Sequence, residues 1–205
     1  MRMSAEEKQR SRARIVTSAA RLFREHGLDG ASVADVMNDA GMTHGGFYKH
    51  FDSKDALIEA ALESAFNQFV ELAGGDHPGA AMLQAFPELL AAVRAREGGP
   101  PPPYASLYLA REHVERRGFG CPVAALGPEI SRASTAIKRA FGAGVRRMIG
   151  ALASTRKGSA ASRRTAAIRE FSMLVGAMVI ARASDAELAS EVLTACGRAP
   201  GDDDR

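Results

Sequence analysis

Apolar residues recur every three or four positions along almost the whole of this 205-residue chain, and nowhere do they alternate for more than a few residues. The first spacing puts side chains on one face of a helix; a half-buried strand needs the second. The chain is therefore expected to be all-α, with about nine helices and no sheet. Ile15, Ala19, Leu22 and Phe23 form the stripe of a first helix from about Ser4 to His26, with Gly27 at its C-terminal cap. Val33, Val36, Met37 and Ala40 mark a short second helix that opens at the capping box Ser32-Val-Ala-Asp35 and stops at Gly41. Thr43 offers an N-cap to a third helix reaching about His50. The pattern Asp52-Ser-Lys-Asp55 does the same for a fourth, whose apolar positions run from Leu57 to Val70 and fade before Gly74-Gly75.

Beyond those glycines the pattern predicts a helical body. Pro78 suits the first turn of a fifth helix carrying Met82, Phe86, Leu89, Leu90 and Val93, kinked at Pro87. Gly98 to Pro103 breaks the chain, Tyr104 to Arg116 reads as a sixth helix, and Arg117 to Pro122 is irregular. A long helix is expected from about Pro128, carrying Ile130, Ile137, Phe141, Val145, Met148 and Leu152. Another spans about Ala160 to Arg182 and is apolar almost all round from Phe171 to Ile180, so both of its faces should be buried. The last opens at Ser184-Asp-Ala-Glu187, turns Leu188, Val192 and Cys196 inward, and ends at Gly197.

Composition narrows the class. Apolar residues make up 46% and charged residues 25%, the balance of a soluble globular chain. The longest strongly apolar run, Phe171 to Ala181, is about half of the roughly 20 residues that span a bilayer, so no membrane helix is expected. The charged start has no apolar core of a signal peptide, and a cytoplasmic protein is the expectation. Two cysteines, Cys121 and Cys196, make neither a disulfide framework nor a cysteine-rich zinc site, and no metal or cofactor is expected. The net charge is only +3, but residues 1–24 carry seven cations against Glu6 and Glu7. A basic arm suggests nucleic acid, although such a run is more often a solvated helix face. A second basic stretch, residues 143–182, warns against reading charge alone.

The informative segment is Ala31 to Phe51. A capped short helix, a glycine-containing turn and a second short helix make a helix-turn-helix, about residues 32–51. The segment Gly41-Met-Thr-His-Gly-Gly-Phe-Tyr-Lys-His-Phe51, followed by Ser53-Lys-Asp-Ala-Leu57, resembles the TetR family of bacterial transcriptional regulators. The resemblance is specific over residues 9–69. It implies a DNA-binding domain there, a ligand-binding and dimerisation domain over 76–198, and a flexible tail at 199–205. It further implies a homodimer, paired through the last two helices, that binds palindromic double-stranded DNA, usually represses nearby genes, and leaves the operator when a small, often apolar effector binds. By matching positions, Thr43, Tyr48, His50 and Lys54 contact phosphates, with His44, Gly45 and Lys49 nearest the bases. Phe47 and Phe51 read as core. The apolar pattern from Leu57 to Val70 makes the fourth helix the expected lever between head and body.

For the body, Phe86, Tyr104, Tyr108, His113, Phe141, Met148, Phe171 and Met178 are the candidate ligand-lining residues, though each alone is as readily plain core. Tyr104, Tyr108 and His113 would supply polar handles from one helical flank. His113 has no second ligand at metal-like spacing. Cys121 is a candidate sensor thiol if Arg116 and Arg117 lower its pKa; a small buried cysteine is the plainer reading. Two rivals remain: a helical thiol enzyme using Cys121 with His113, and a DNA-binding activator with no ligand.

Overall fold

The computed structural model describes residues 4–73 and 104–197; the expected fifth helix, with Phe86, and the break at 98–103 lie outside them. Every regular element among the described residues is a helix. In chain order these are α1 (Ala5–His26), α2 (Val33–Asp39), a 3₁₀ helix (His44–Lys49), α3 (Lys54–Ala73), α4 (Tyr104–Tyr108), α5 (Arg111–Glu115), a 3₁₀ turn (Arg117–Phe119), α6 (Pro122–Ile130), α7 (Thr135–Ser154), α8 (Ala160–Ala183) and α9 (Ala186–Gly197). No described helix is long and apolar enough to cross a membrane.

The chain forms two compact units. One comprises residues 1–67 and 121–145, the other 68–120 and 146–205. The first, here called the head unit, therefore includes α6 and the start of α7 besides the helix-turn-helix. Its core is assembled from Ile15 and Phe23 of α1, Met37 of α2, Phe47, and Leu57, Leu62 and Phe66 of α3, with Leu126, Ile130 and Ile137 added from α6 and α7. Each such side chain contributes roughly 1.5–3 kcal/mol on leaving water. In the second unit Leu107, Tyr108, Met148, Leu152, Phe171, Leu174 and Met178 are buried.

Local chemistry accounts for most boundaries. Ser4 and Glu7 form a full capping box on α1, with Ser4 Oγ accepting the Glu7 N–H at 3.1 Å and Glu7 Oε2 accepting the Ser4 N–H at 2.7 Å. Gly27, at φ +84°, ends it, and its N–H donates to the Phe23 carbonyl. The cap of α3 is Ser53, whose Oγ accepts the Ala56 N–H at 3.1 Å; the expected Asp52–Asp55 box is replaced because Asp55 accepts from Ser134 instead. Likewise Asp185, rather than Ser184, caps the last helix, through the Leu188 N–H at 2.9 Å.

Three expectations are corrected. The segment expected as one helix, 104–116, is two short helices: Ala110 adopts an extended backbone (φ −62°, ψ 147°), and the Tyr108 carbonyl meets the His113 imidazole at 2.5 Å. The long helix from about Pro128 is instead α6 and α7 separated by a corner at 131–134. Pro128 has no N–H to give to the carbonyl four residues back, and α6 ends two residues later. Finally, α8 buries one face only: Phe171, Leu174, Ala177 and Met178 are inside, while Met173 and Ile180 stay 43% and 45% exposed. In α9 Leu188 is exposed, and Val192 and Cys196 are only half-buried. A single chain covers one side of these helices.

Gly144 of α7 is closely packed in the head unit. A Cβ there would overlap the ring of Phe66, which is fully buried and edge-on to Phe141 at 5.6 Å. Gly144→Ala would gain up to ~1 kcal/mol of helix propensity, but overpacking of a closed core costs about 1–3 kcal/mol. The expected outcome is net destabilisation, read as a lower denaturation midpoint in urea.

Candidate nucleic-acid interface

The candidate interface is built on a fixed α2. Ser32 and Asp35 satisfy each other's free groups: Ser32 Oγ accepts the Asp35 N–H at 3.1 Å, and Asp35 Oδ2 accepts the Ser32 N–H at 2.9 Å. Hydrogen bonds from the Ser32 hydroxyl and N–H hold the Asp35 carboxyl below its ordinary pKa. At the other end Gly41 takes φ +68°, which allows the Met42 N–H to turn back onto the Met37 carbonyl at 2.8 Å. The Arg14 guanidinium donates to the Ala40 carbonyl at the same end, a cation where the helix dipole favours one.

The third short helix of the expectation is present as a 3₁₀ helix, His44–Lys49, and the Thr43 hydroxyl makes no capping bond to it. Two glycines, each about 1 kcal/mol worse than alanine in an α-helix, leave a six-residue segment short of α-helical support. Its placement comes from aromatic rings. Phe47 is 2% exposed and stacks on Phe51 with centroids 5.8 Å apart and planes at 23°. Tyr48 meets the edge of Phe47 at 5.2 Å but is itself 72% exposed. Thr43, His44, Gly45 and Lys49 are also exposed, and His50 and Lys54 are half-buried. The two glycines differ: a Cβ at Gly46 would touch Met37 at 3.6 Å, whereas Gly45 has open space around it. The bareness of Gly45 is therefore not required by this chain's own packing.

The basic start of the chain is largely structural. Arg10 pairs with Glu6 at 2.9 Å, Arg21 bridges Glu25 at 2.9 Å and Asp39 at 2.6 Å, and Arg14 caps α2. Arg24 is buried with its Nε on the Ala20 carbonyl at 2.7 Å, and burial pushes its guanidinium down to about 10. Lys8 and Arg12 behave differently. They lie one helical turn apart on the same face of α1, and the Arg12 guanidinium sits 4.5 Å from the centre of the Phe51 ring, next to His50. Burial first, then the charges of Lys8, Arg12 and Lys49, hold the His50 imidazole below its ordinary 6.5. Lys8, Arg12 and Lys49 thus place positive charge around the His50 imidazole. Lys8 and Arg12 belong to the basic arm of residues 1–24, and their i,i+4 spacing is the signal that sets them apart within it.

Comparison with known proteins decides what this head is. The family model described as "Bacterial regulatory proteins, tetR family" matches residues 15–61, which span α1, α2, the 3₁₀ helix and the start of α3. Over residues 15–61 this chain is similar to the TetR family. It is 39% identical over 64 residues to the HTH-type transcriptional regulator TtgR of Pseudomonas putida, covering 31% of this chain and 30% of that protein. It is 32% identical over 78 residues to the HTH-type transcriptional repressor KstR2 of Rhodococcus jostii, covering 36% and 38%. The chain therefore matches about a third of the length of these curated relatives. The fold likeness extends further. The structure of reduced Escherichia coli NemR covers 91% of this chain at TM-score 0.61 and 20% identity, with 95% of that chain covered. A TetR regulator from Chloroflexus aurantiacus covers 94% of each at TM-score 0.62 and 21% identity. At these identities the likeness establishes the all-α fold.

In the body of the chain the expected ligand residues separate. Tyr104, Tyr108 and His113 come together: the tyrosine rings are 5.8 Å apart, and His113 stands edge-on to Tyr108 at 4.7 Å. Tyr108, His113, Met148, Phe171 and Met178 are all buried in the second unit. Phe141 belongs to the head unit, against Phe66. Arg182 Nη2 donates to the His113 carbonyl at 2.6 Å and its Nε to that of Val114 at 3.2 Å, so this member of the second basic stretch caps α5. An open groove of about 610 Å³ runs between α5 and α9, lined by Leu109, Val114, Ala189 and Leu193 with Arg111 and Glu115 among its walls; none of the expected ligand residues lines it. Cys121 is fully buried at the N-cap of α6, and the charge beside it is Arg24.

The His50 reading is measurable in the free protein. Its imidazole is expected to titrate below 6.5 by NMR, and Lys8→Ala to move that pKa upward, because removing a nearby cation favours the protonated ring.

Proposed function

We propose that this protein is a sequence-specific transcriptional regulator that binds a palindromic operator as a dimer, represses transcription there and is released by a small, largely apolar ligand. The observation that carries this reading is the 3₁₀ helix His44–Lys49, which buries Phe47 in the head core and leaves Tyr48 and Lys49 exposed. His44, Gly45 and Lys49 would face base edges in the major groove, with Gly45 letting the backbone come close. Thr43, Tyr48, His50 and Lys54 would hold phosphates, and Lys8 and Arg12 would extend that cationic track along α1. The description of KstR2 as a repressor supports the sign of the regulation.

The dimer is supported by the uncovered apolar side of the last two helices, Ile168, Met173, Val179 and Ile180 of α8 with Leu188 of α9. Two such helix pairs would complete a four-helix bundle across a two-fold axis and cover these exposed side chains. Tyr104, Tyr108 and His113, with Met148, Phe171 and Met178 in the same unit, are the candidates for effector contact. A thousandfold release needs an effector that prefers the non-binding conformation by about 4 kcal/mol. Helix α3 is the proposed lever, since one continuous helix supplies residues to both units. The thiol-enzyme alternative finds less support: Cys121 and His113 are each fully buried, and His113 Nδ1 already faces the Tyr108 carbonyl.

Fluorescence anisotropy with duplexes from the DNA upstream of the gene tests the reading. Tyr48→Ala and Lys49→Ala are each expected to weaken binding by tenfold or more with the melting temperature unchanged, and affinity is expected to fall steeply with salt. Full affinity in both variants would remove the assigned recognition element. For the pairing surface, Ile180→Glu is expected to convert a dimer to a monomer in sedimentation velocity; a dimer that survives Ile180→Glu and Met173→Glu together rules that surface out.

A further inference from the structure

The corner between α6 and α7 is hydrogen-bonded to the chain just past α1 and to the first turn of α3. Glu129 lies in the last turn of α6, and its Oε2 accepts the N–H of Leu28 at 2.6 Å, across 101 residues of sequence. That N–H is the first donor beyond α1, since the Gly27 N–H already serves the Phe23 carbonyl at 2.8 Å. The carboxylate sits so close over Gly27 that a Cβ there would lie 2.7 Å from Oε1. At the other end of the corner, the Ser134 hydroxyl donates to Asp55 Oδ2 at 3.0 Å, in the first turn of α3. Ser134 Oγ also receives the Ile137 N–H at 3.4 Å, which starts α7. The corner itself is stiff. The Ser131 hydroxyl donates to the Pro128 carbonyl at 2.6 Å, the Arg132 N–H to that of Glu129 at 3.0 Å, and Ile130 and Ile137 on either side are buried.

Between Leu28 and Asp55 the chain holds only α2 and the 3₁₀ helix. A single corner thus holds both ends of the segment that would read DNA. The hold at Leu28 is a balance of opposed terms. A charged acceptor makes a strong bond to a backbone N–H, yet an anion beside the C-terminal end of α1 meets the unfavourable pole of the helix dipole.

We propose that Glu129 and Ser134 are positioning residues for DNA binding, clamping both ends of residues 28–55 so that operator affinity follows the seating of the 129–134 corner. The inference rests on the DNA-binding reading above and adds to it an element outside the matched family segment.

The test uses the full chain with Glu129→Ala, Glu129→Asp, Glu129→Gln and Ser134→Ala. DNA affinity is read by anisotropy, folding by thermal melts, and the clamp by hydrogen exchange of the Leu28 amide. Glu129→Ala is expected to lose protection at Leu28 and to bind DNA about tenfold more weakly at an unchanged salt slope, because no phosphate contact is removed. Glu129→Asp, which keeps the charge on a shorter arm, is expected to behave like the alanine variant and serves if that variant does not fold. Glu129→Gln still offers an acceptor oxygen and is expected to recover most of the affinity. Ser134→Ala is expected to act in the same direction, about threefold. The proposal is overturned if the alanine and aspartate variants bind within twofold of wild type, if glutamine fails to rescue, or if the loss of affinity merely follows a lowered melting temperature. A wild-type chain that binds no duplex defeats the DNA reading and this role with it; a wild type that binds, with variants equally tight, defeats the clamp alone.

Discussion

The stacked rings of Phe47 and Phe51 connect the core of the head unit to its outward face. A six-residue 3₁₀ helix containing two glycines has little intrinsic reason to persist, since nucleating a helical turn is unfavourable and glycine adds to the cost. Burial of Phe47 against α1, α2 and α3 offsets that cost. Because Phe47 is inside, the neighbouring position in a tight turn points out, and Tyr48 is exposed while its ring still rests against the edge of Phe47. Adjacent residues thus do opposite jobs, one anchoring and one presenting, and the presenting side chains need no support from propensity.

The charges of α1 divide in the same way. Arg14, Arg21 and Arg24 complete the head unit by satisfying the end of α2, Asp39 and the Ala20 carbonyl. Arg12 rests on the aromatic stack, and with Lys8 it brings positive charge to His50 and Lys49. A count of cations could not separate these roles, because a guanidinium facing a carbonyl and one facing solvent are identical in sequence. The same holds in the body, where Arg182 caps α5 and Arg156 pairs with Glu170.

The head unit is completed from a distant part of the chain. Residues 121–145 supply Leu126, Ile130 and Ile137 to its core and Glu129 and Ser134 to its polar contacts. A unit of roughly 60 residues buries only about 60% of the surface its unfolded chain exposes and is correspondingly marginal by itself. The borrowed helices add apolar surface to that core.

Local pattern determined a good deal here: the all-α class, the ends of α1 and α2, the aromatic anchors and the exposed Tyr48-Lys49 pair, because capping, period and glycine conformation act over a few residues and are written where they act. It joined α4 to α5 across an extended Ala110 that periodicity does not register, and ran α6 into α7 past Pro128. Only tertiary structure decided that Arg24 is buried, that Phe141 belongs with Phe66, that one face of α8 is left uncovered, and that Glu129 reaches the amide of Leu28. Those outcomes depend on contacts between residues far apart in sequence, and a side chain carries no local mark of the partner that folding brings to it.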